Sequence, residues 1–542
     1  MFKLSENIRN EQKKFRIKYQ ELIANKISTD EFKHYSSAMG VYSQRKPGTY
    51  MVRPRILSGL VTVDQLKKIS DLSKKYSFGK IHFTTRQDVQ FHKLNLDNVP
   101  DILESLLSVN LINKGAGGNS VRNVSCSHLS GVKENEIFDV TQHAKKVTEY
   151  LLSLDNICSL PRKYKIAFSS SCDDIARATV SDLGFIAKIR NGIKGFEVYA
   201  GGGLGGSPTV SIKVEDFINE EDILYYAKGM MDLFDKEGDR NNRSKARIRF
   251  IRYRLGDEEF ARLFNTYVDN LKQNENLTLK IQKESKLPES DEIYTGNDKR
   301  VFKQKNKGMY SIIIHASNGD ILAKDLDQVI NYTEQLHYSV DFRLTGTQAI
   351  CVRNVKGNDV EGLLNIINQF THEYEFERIV SCTGAANCRI GLCNTNGLIK
   401  EIENIAKNMD KDILDKLPKI YISGCNNSCG WHHIGSIGFS GSAIKGVRGS
   451  IPAYSVYFKG KILAGQSMLA QKYGVIPARN ISPFLKSLVA KFSSSGANNF
   501  DDFINENDNL INELLNKYSN LDIIDSNKIY FDFNSPLEFL KK

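Results

Sequence analysis

The sequence predicts an α+β fold that is internally duplicated, with pseudo-twofold symmetry between its halves. The first observation is a series of short matches, such as "GTYMVRPRILSG" from Gly48 and "GMYSIIIHASNG" from Gly308. The second is that these matches keep the same order and a nearly constant offset along the chain. The third is that in each half alternating apolar residues come before a helical pattern. Because chance similarity does not preserve order and offset together, we infer an ancient duplication.

Each half is expected to begin with a small unit of strand, helix, strand and helix, and to continue into a longer α/β unit. The first-half helix and following strand are "TVDQLKKISDLSKKY" and "KIHFTTRQDVQFH", and "LDQVINYTEQLH" and "SVDFRLTGTQAICV" take these places in the second half. The charged, turn-rich stretch from Ile281 to Arg300 is the predicted linker. Six regions are therefore predicted: an N-terminal helical extension over 1–40, a small half-domain over 41–110, a larger domain over 111–285, a second small half-domain over 300–372, a second larger domain over 373–490 and a C-terminal tail over 491–542.

Composition limits the class of protein. A chain of 542 residues, with 41% hydrophobic and 25% charged residues, is typical of several globular domains. No apolar run approaches the roughly 20 residues that span a bilayer, and the charged N-terminal residues show no signal-peptide pattern. We therefore expect a cytoplasmic protein without a membrane partner, in which nine cysteines act as ligands or buried thiols. A net charge of +11 suits an acidic partner or an anionic ligand, and no basic tract with interleaved aromatics indicates nucleic acid.

Four cysteines occur as two pairs in segments rich in glycine and asparagine. Cys382 and Cys388 lie in "SCTGAANCRIGLC", and Cys425 and Cys429 lie in "ISGCNNSCGWHHIG". Four thiolates in two loops indicate a metal centre, and their wide spacing favours an iron–sulfur cluster over structural zinc, which uses tighter knuckles. Buried thiols without a metal are the third alternative. Cys393, which follows the first pair, is expected to be a structural thiol.

The same segments resemble a known family. "CTGAANC" with "GCNNSCG" resembles the Cys-x5-Cys and Cys-x3-Cys signature of the siroheme-dependent sulfite and nitrite reductases. In the first half, "TTRQDVQFH", "NSVRNVSC", "LPRKYKIAFS", "GFEVYAGGGLGG" and "NNRSKARIRF" resemble blocks of that family in the same order. The resemblance implies two ferredoxin-like half-domains and two larger α/β domains that bind siroheme and a [4Fe–4S] cluster. It implies four cluster ligands, namely Cys382, Cys388, Cys425 and Cys429, with Cys429 shared with the siroheme iron. Asn426 stands where the family usually has proline, which can loosen this turn without removing a ligand.

Siroheme carries eight carboxylates and its substrate is an anion, so a buried site for both requires cations. The blocks that resemble the family supply ten: Arg53, Arg55, Arg86, Arg122, Arg162, Lys163, Lys165, Arg243, Lys245 and Arg247. The resemblance implies that four of them face the substrate and relay protons: Arg53, Arg122, Lys163 and Lys165. It also implies that Arg86, Gln90 and Asn427 hold the macrocycle. Because Lys163 and Lys165 alternate in "RKYK", a strand would point both amines to one side.

The expected activity is the six-electron reduction of sulfite to sulfide, and the alternative is reduction of nitrite to ammonia. Lys165 favours sulfite, because a further cation suits a dianion, whereas "CTG" at Cys382 is commoner among nitrite enzymes. A zinc-stabilised scaffold is the alternative without enzyme activity. No flavin or nicotinamide module is recognisable, so electrons are expected from an acidic carrier such as ferredoxin, or from a separate flavoprotein.

Two further motifs are interpreted conservatively. "GGGLGG" from Gly201 matches a dinucleotide-binding pattern, but Pro208 and β-branched residues follow it where a helix should open. We therefore expect a loop that packs near siroheme. The segment from Trp431 to His433 is expected to pack against the cluster, since Cys429 would already supply the axial sulfur.

Overall fold

The computed structural model describes residues 6–281, 286–521 and 527–539. Its strands form four five-stranded sheets, two small and two larger, which confirms the predicted duplicated α+β fold. The start of the predicted N-terminal extension, the predicted domain boundary at residue 285 and parts of the predicted tail lie outside the described residues. Helices α1 (Glu6–Ile23) and α2 (Thr29–Ala38) form the described part of the extension.

The two small sheets have corresponding strand orders. The first contains, in spatial order, β1 (Val41–Ser43), β2 (Tyr50–Val52), β5 (Val89–Leu94), β4 (Lys80–Phe83) and β13 (Asp320–Leu322). The second contains β11 (Val301–Lys303), β12 (Met309–Ile314), β15 (Ile350–Lys356), β14 (Asp341–Leu344) and β3 (Leu60–Val61). Each sheet therefore takes its last strand from the other half: β13 pairs with β4, and β3 pairs with β14. This exchange joins the two half-domains into one hydrophobic core.

Each segment that was predicted as a single strand after the first helix is a hairpin. β4 and β5 are separated by a turn in which the Thr84 hydroxyl accepts hydrogen bonds from the backbone N–H groups of Arg86 (3.2 Å) and Asp88 (3.0 Å). Thr345 accepts from Thr347 and Ala349 in the same way. The prediction was wrong because side-chain hydrogen bonds close these turns: the first has neither glycine nor proline, the usual sequence signals, and the second has a single glycine, Gly346.

Gln87 and Gln348 end these turns and join the halves. Both have positive φ angles, 57° and 62°. The Gln87 Nε2 donates to the backbone oxygens of Cys126 and Leu344, each at 2.8 Å, while its Oε1 accepts from Cys126 N at 2.9 Å. Gln348 donates to Phe83 O at 3.1 Å and accepts from Ser381 N at 2.7 Å. Each glutamine thus contacts both halves of the chain.

The larger sheets also correspond. One contains β10 (Ile212–Asn219), β9 (Ile193–Ala200), β8 (Leu183–Arg190), β7 (Ile166–Ser169) and β6 (Ser125–Cys126). The other contains β20 (Gln471–Pro477), β19 (Ser450–Phe458), β18 (Ile437–Lys445), β17 (Ile420–Ser423) and β16 (Val380–Ser381). In each of these sheets, the last three strands in this order run parallel to one another. Neighbouring parallel strands start at one edge of a sheet and end at the other, and this brings the loops of the site together.

Helices cover these sheets. In chain order they are α3 (Val63–Tyr76), α4 (Val99–Leu107), α5 (Thr141–Ser153), α6 (Ile223–Glu237), α7 (Ile248–Leu255), α8 (Asp257–Asn274), α9 (Ala323–Gln335), α10 (Val360–Ile367), α11 (Gly384–Asn387), α12 (Thr395–Ala406), α13 (Lys411–Leu414), α14 (Ile481–Ser495), α15 (Phe500–Glu506) and α16 (Asp508–Ser519). Helix α3 begins at a capping box in which Thr62 and Gln65 satisfy each other's backbone N–H groups. In the part of the chain that the structure describes, no helix has the length and apolar character needed to cross a membrane.

The predicted C-terminal tail contributes to a packed core. The predicted boundary at residue 490 falls inside α14, because the buried side of this helix continues to Phe492. Phe500, Phe503 and Ile511 are also buried in the core of the second larger domain. The region was predicted to be a tail because its composition is polar, but each of its helices has an apolar face that packs into this core.

Candidate active site

The two predicted cysteine pairs come together at one edge of the second larger sheet. Cys382 directly follows β16, and Cys425 follows its parallel neighbour β17, so both loops leave the sheet at the same edge. Cys388 caps the carboxyl end of the short helix α11. The Gly424 N–H donates to Cys382 Sγ at 3.1 Å, and Asn427 Nδ2 donates to Cys425 Sγ at 3.4 Å. Amide groups directed at sulfur in this way stabilise negative charge on thiolates.

Electrostatic interactions connect all four thiols. Burial first, and then the Cys429 thiol, raise the pKa of Cys382 to about 12. The pKa of Cys425 is also raised, first by burial, with contributions from Cys429 and Cys388. Binding of a positive metal centre would relieve this cost by replacing the thiol protons. Among the described residues, no three His, Cys, Asp or Glu side chains are arranged around a single ion. A [4Fe–4S] cluster does not require its ligands to surround a single ion, because each of the four thiolates binds a different iron. These four thiols therefore suit a [4Fe–4S] cluster.

Cys393 is directed elsewhere. It is fully buried, and its Sγ lies 3.4 Å from Ser442 O and 3.3 Å from Ala453 O, on strands β18 and β19. Its thiol thus donates into the sheet rather than toward the cysteine loops, which supports the prediction that it is a structural thiol.

The first half holds the loop of Cys388 from outside. Arg45 follows β1, and its Nε donates to Cys388 O at 3.2 Å, while its Nη2 donates to Gly391 O. Its backbone N–H donates to Asn387 O at 2.9 Å. Arg389, on the cysteine loop, donates in return to Ser43 Oγ at 3.1 Å. A positive charge therefore lies beside the Cys388 loop.

The loop of Cys429 is fixed on both sides. Ser428 and Trp431 have positive φ angles of 52° and 64°, which turn the chain sharply around Cys429. Thr85 Oγ1, from the turn between β4 and β5, donates to Cys429 O at 3.0 Å. Asn426, in the place of the usual proline, accepts from Ser440 Oγ at 3.2 Å. This side-chain hydrogen bond restrains the turn in place of a proline ring.

The predicted cations lie at the starting edge of the other larger sheet. Arg122 precedes β6, Lys165 precedes β7, and the buried carboxylate of Asp182 precedes β8. These strands are parallel neighbours, so the three side chains start from the same edge. Asp182 accepts from Lys165 N at 2.9 Å and from Arg247 Nη2 at 2.8 and 2.9 Å. Asp182 is thus the buried counter-ion of the cationic site.

One loop positions two of the predicted substrate-facing arginines. Arg53 Nε and Arg122 Nη1 both donate to Ala116 O, at 2.9 and 3.0 Å, and Arg122 Nη2 donates to Gly118 O at 2.7 Å. Nearby, Arg86 is fixed by Asn123 O at 2.9 Å and Ile166 O at 2.8 Å. These backbone contacts orient the guanidinium groups and leave their charges without carboxylate partners.

The lysines lie between the arginines and the cysteine loop. Burial, followed by Arg247, lowers the pKa of Lys163 to about 7, and the Cys429 thiol acts in the opposite direction. The pKa of Lys165 is lowered well below its usual range, first by burial and then by Lys163 and Arg86. The charge of Lys163 acts on Lys165, which agrees with the prediction that both amines face one side. The influence of Cys429 on Lys163 links the cationic site to the cysteine cluster.

The glycine-rich loop from Gly201 borders this site. A Cβ atom on Gly203 would lie 2.8 Å from Arg249 Nη1 and 3.0 Å from Arg247 Nη2. A Cβ on Gly205 would lie 3.7 Å from Asn427 O, so the loop also reaches the second cysteine pair. Glycine here permits close approach to charged groups and does not open a dinucleotide-binding helix, as the sequence predicts.

The charges of the site fit a polyanionic cofactor. Burial is the main cause that lowers the pKa of Arg86, Arg122 and Arg249, each to about 10, and repulsion from neighbouring cations adds to it. Seven buried guanidinium Nε atoms in the described part of the chain lack a hydrogen-bond partner, and three of them, those of Arg122, Arg247 and Arg249, belong to this site. Buried cations with free donors require anions. The carboxylates of siroheme and an oxyanion substrate would supply them.

Other predicted residues lie farther from this cluster of charges. Gln90 is half-buried on β5 opposite His82, and no hydrogen bond among the described residues joins it to the predicted site. Arg243 and Lys245 are exposed, and Arg162 is half-buried with its Nη1 at 3.4 Å from Asn119 Oδ1. Arg55 is fully buried and donates to Val121 O, so it supports the loop between the first small half-domain and the first larger domain.

Sequence reasoning missed Asp182 and Arg45. Asp182 directly precedes β8, and a charge at the start of a buried strand could have indicated it. Arg45 lies outside the segments that resemble the family, and only the tertiary structure brings it beside the Cys388 loop. In the segment after Cys429, Trp431 is 8% exposed and lies against Gly346 and beneath the Arg177 guanidinium. Its packing against a bound cluster stays a prediction.

Comparisons with known proteins agree with this geometry. Residues 117–272 match the family model described as "Nitrite and sulphite reductase 4Fe-4S domain", and residues 42–109 match "Nitrite/Sulfite reductase ferredoxin-like half domain". The chain is 25% identical over 496 residues to the chloroplastic ferredoxin–nitrite reductase of Oryza sativa subsp. japonica, covering 87% of this chain and 80% of that protein. It is 26% identical over 483 residues to the assimilatory ferredoxin-dependent nitrite reductase of Haloferax mediterranei, covering 84% and 81%.

A solved structure shares the fold. The NirA protein of Mycobacterium tuberculosis superposes with a TM-score of 0.77 at 21% identity, covering 90% of this chain and 92% of that chain. Four thiols in two neighbouring loops, a nearby group of buried cations and these matches lead to one assignment. The chain belongs to the siroheme-dependent sulfite and nitrite reductase family, whose cofactors are siroheme and a [4Fe–4S] cluster.

Proposed function

We propose that this enzyme reduces nitrite to ammonia with six electrons delivered by a ferredoxin. The balanced reaction consumes one nitrite, seven protons and six electrons and gives one ammonia and two waters. The observation that carries the proposal is the agreement of the relatives, from plants, a haloarchaeon and cyanobacteria, which are named ferredoxin–nitrite reductases. This reverses the preference for sulfite that the sequence suggested.

The argument for sulfite depended on Lys165 as an additional cation for a dianion. Burial and the neighbouring cations lower the pKa of Lys165, so its amine is a weaker source of positive charge than its sequence position suggests. A less charged donor suits the monoanion nitrite, which needs hydrogen bonds more than a second full charge. The remaining charge is held by Arg53 and Arg122, which stay protonated at neutral pH.

The chain's own residues would bind, orient and protonate the anion. Arg53 and Arg122 would hold the two oxygens of nitrite, because both are fixed by backbone carbonyls and keep nitrogens free. Lys163 and Lys165 would donate protons from Nζ. Arg86, Arg247, Arg249 and Asn427 would hold siroheme, and the four cysteines the cluster. When bound, the coupled cofactors supply electrons one at a time.

The electron donor would be an acidic one-electron carrier. The relatives' names specify ferredoxin, and the net charge of +11 on this chain suits a partner of opposite charge. Arg45, Lys46 and Arg389 are exposed beside the Cys388 loop. They would place the donor near the cluster.

The test compares the two anions directly. The purified holoenzyme is supplied with reduced methyl viologen, and kcat/KM is measured for nitrite and for sulfite, with ammonia and sulfide quantified as products. We expect nitrite to be preferred by at least about tenfold, equivalent to about 1.4 kcal/mol in transition-state binding. A preference for sulfite, or products other than ammonia from nitrite, would reject the proposal.

A further inference from the structure

Tyr42 lies within the group of arginines predicted to bind substrate. It is on β1, opposite Met51 of β2, and its hydroxyl accepts a hydrogen bond from Gly118 N at 2.6 Å. The Arg53 guanidinium lies 5.9 Å from the centre of its ring. The loop that holds Arg53 and Arg122 by its carbonyls therefore also holds the Tyr42 hydroxyl by an N–H group.

The local packing is built around this hydroxyl. A Cβ atom on Gly117 would lie 2.4 Å from the Tyr42 oxygen, so only glycine leaves room for it. The positive charge of Arg122 also acts on this oxygen. The hydroxyl thus accepts the hydrogen bond from Gly118 N, while no acceptor among the described residues takes its own proton. A half-buried O–H group without an acceptor is available to a ligand.

The charged groups with the largest influence on the Tyr42 hydroxyl are positive. They are Arg122 and Arg53, and Arg162 is also within the influence of Tyr42. Burial raises the pKa of Tyr42, but the two arginines and the Gly118 N–H outweigh it and lower the pKa below the usual value. The phenolate that remains after proton loss is therefore stabilised in place.

We propose that Tyr42 donates a proton to the oxyanion held by Arg53 and Arg122. The O–H bond of Tyr42 breaks, the proton moves to a substrate oxygen, and the electron pair stays on the phenolate oxygen between Arg122 and Gly118 N–H. Solvent returns the proton before the next step. Tyrosine is neither oxidised nor reduced, since all electrons come from the external carrier. The inference rests on the proposed nitrite reduction, which consumes a proton at most of its steps.

The first test is Tyr42→Phe in the holoenzyme, with Tyr50→Phe on the neighbouring strand as the matched control. A positioned acid contributes typically about 10²–10⁴-fold to a rate. We expect kcat for nitrite with reduced methyl viologen to fall at least about a hundredfold. Siroheme and iron content should be unchanged, and the nitrite Kd, from the optical titration of siroheme, should change less than about tenfold. Tyr50→Phe should match the wild type.

The second test separates acid catalysis from positioning. A general acid works only while protonated, so the wild-type rate should fall as pH rises through the pKa of Tyr42. Site-specific 3,5-difluorotyrosine at position 42 has a more acidic phenol, so this alkaline limb should move to lower pH. Tyr42→Phe should lack the limb. If Tyr42→Phe instead weakens nitrite binding in proportion to kcat, or if fluorination leaves the pH profile unmoved, the inference is wrong. A wild type that does not reduce nitrite would reject the proposed function itself.

Discussion

Replacing Gln87 by methionine removes a side-chain amide that joins the two halves while nearly preserving its shape. Three backbone groups lose a partner: the oxygens of Cys126 and Leu344, and the N–H of Cys126. Gln87 is 2% exposed, so water cannot replace the amide. A buried polar group left unpaired costs about 1–3 kcal/mol. We therefore expect the free energy of unfolding to fall by about 3 kcal/mol or more.

Urea titration of the variant tests this value. The chain's only tryptophan, Trp431, lies beneath the guanidinium of Arg177 from the first half, so its fluorescence reports separation of the halves, and circular dichroism reports the helices. Gln348→Met should have a similar effect, because Gln348 makes the corresponding contacts. Gln466→Met, at an exposed turn, should stay within about 0.5 kcal/mol of the wild type. A loss below about 1 kcal/mol for Gln87→Met would refute the reasoning.

Three further outcomes are expected. Cys388→Ser should lower the iron content and abolish the cluster's electron paramagnetic resonance signal, whereas Cys393→Ser should keep both; the opposite result would reassign the ligand. Lys165→Asn should lower kcat/KM for sulfite by about ten- to a hundredfold, which is the value of one charged hydrogen bond. The variant should lower kcat/KM for nitrite by a smaller factor. Equal losses for the two anions would show that the charge of Lys165 does not determine which anion is preferred. Reduction by ferredoxin should slow as salt rises, since exposed charges are screened over about 8 Å at physiological ionic strength. Lys46→Ala should raise the KM for ferredoxin with little effect on methyl viologen, and a rate indifferent to salt would exclude docking by charge.

Much of the fold was predictable because the duplication repeats its patterns in order. The helices α3 and α9 follow from apolar spacing that each half shows independently. The exchange of β3 and β13 was not predictable, since two or three residues carry too little pattern to indicate which sheet they join. The hairpin turns were missed for a different reason: Thr84 closes its turn through a side-chain hydrogen bond that has no simple signature in sequence.

For the site, the sequence indicated charge and left its arrangement open. A buried polyanion demands cations, and the segments that resemble the family supplied Arg122 and Lys165 as candidates, whose roles stay a prediction. It could not find Tyr42, because a tyrosine near the start of a strand is usually a packing residue. It also overestimated Lys165 as a charge, because the cost of burial depends on neighbours that come from distant parts of the chain.

The exchanged edge strands have a consequence for synthesis on the ribosome. The first small sheet takes its fifth strand from residues Asp320–Leu322, in the second half of the chain. Until these residues emerge, β4 presents an open edge that could pair with another nascent chain. When the second half emerges, β3 in the first half has already been synthesised. Strand β14 can therefore pair with β3 as soon as the second small sheet forms. The first half must therefore remain incomplete for the time that the intervening residues take to be translated, and this interval is when the chain is most exposed to misassembly.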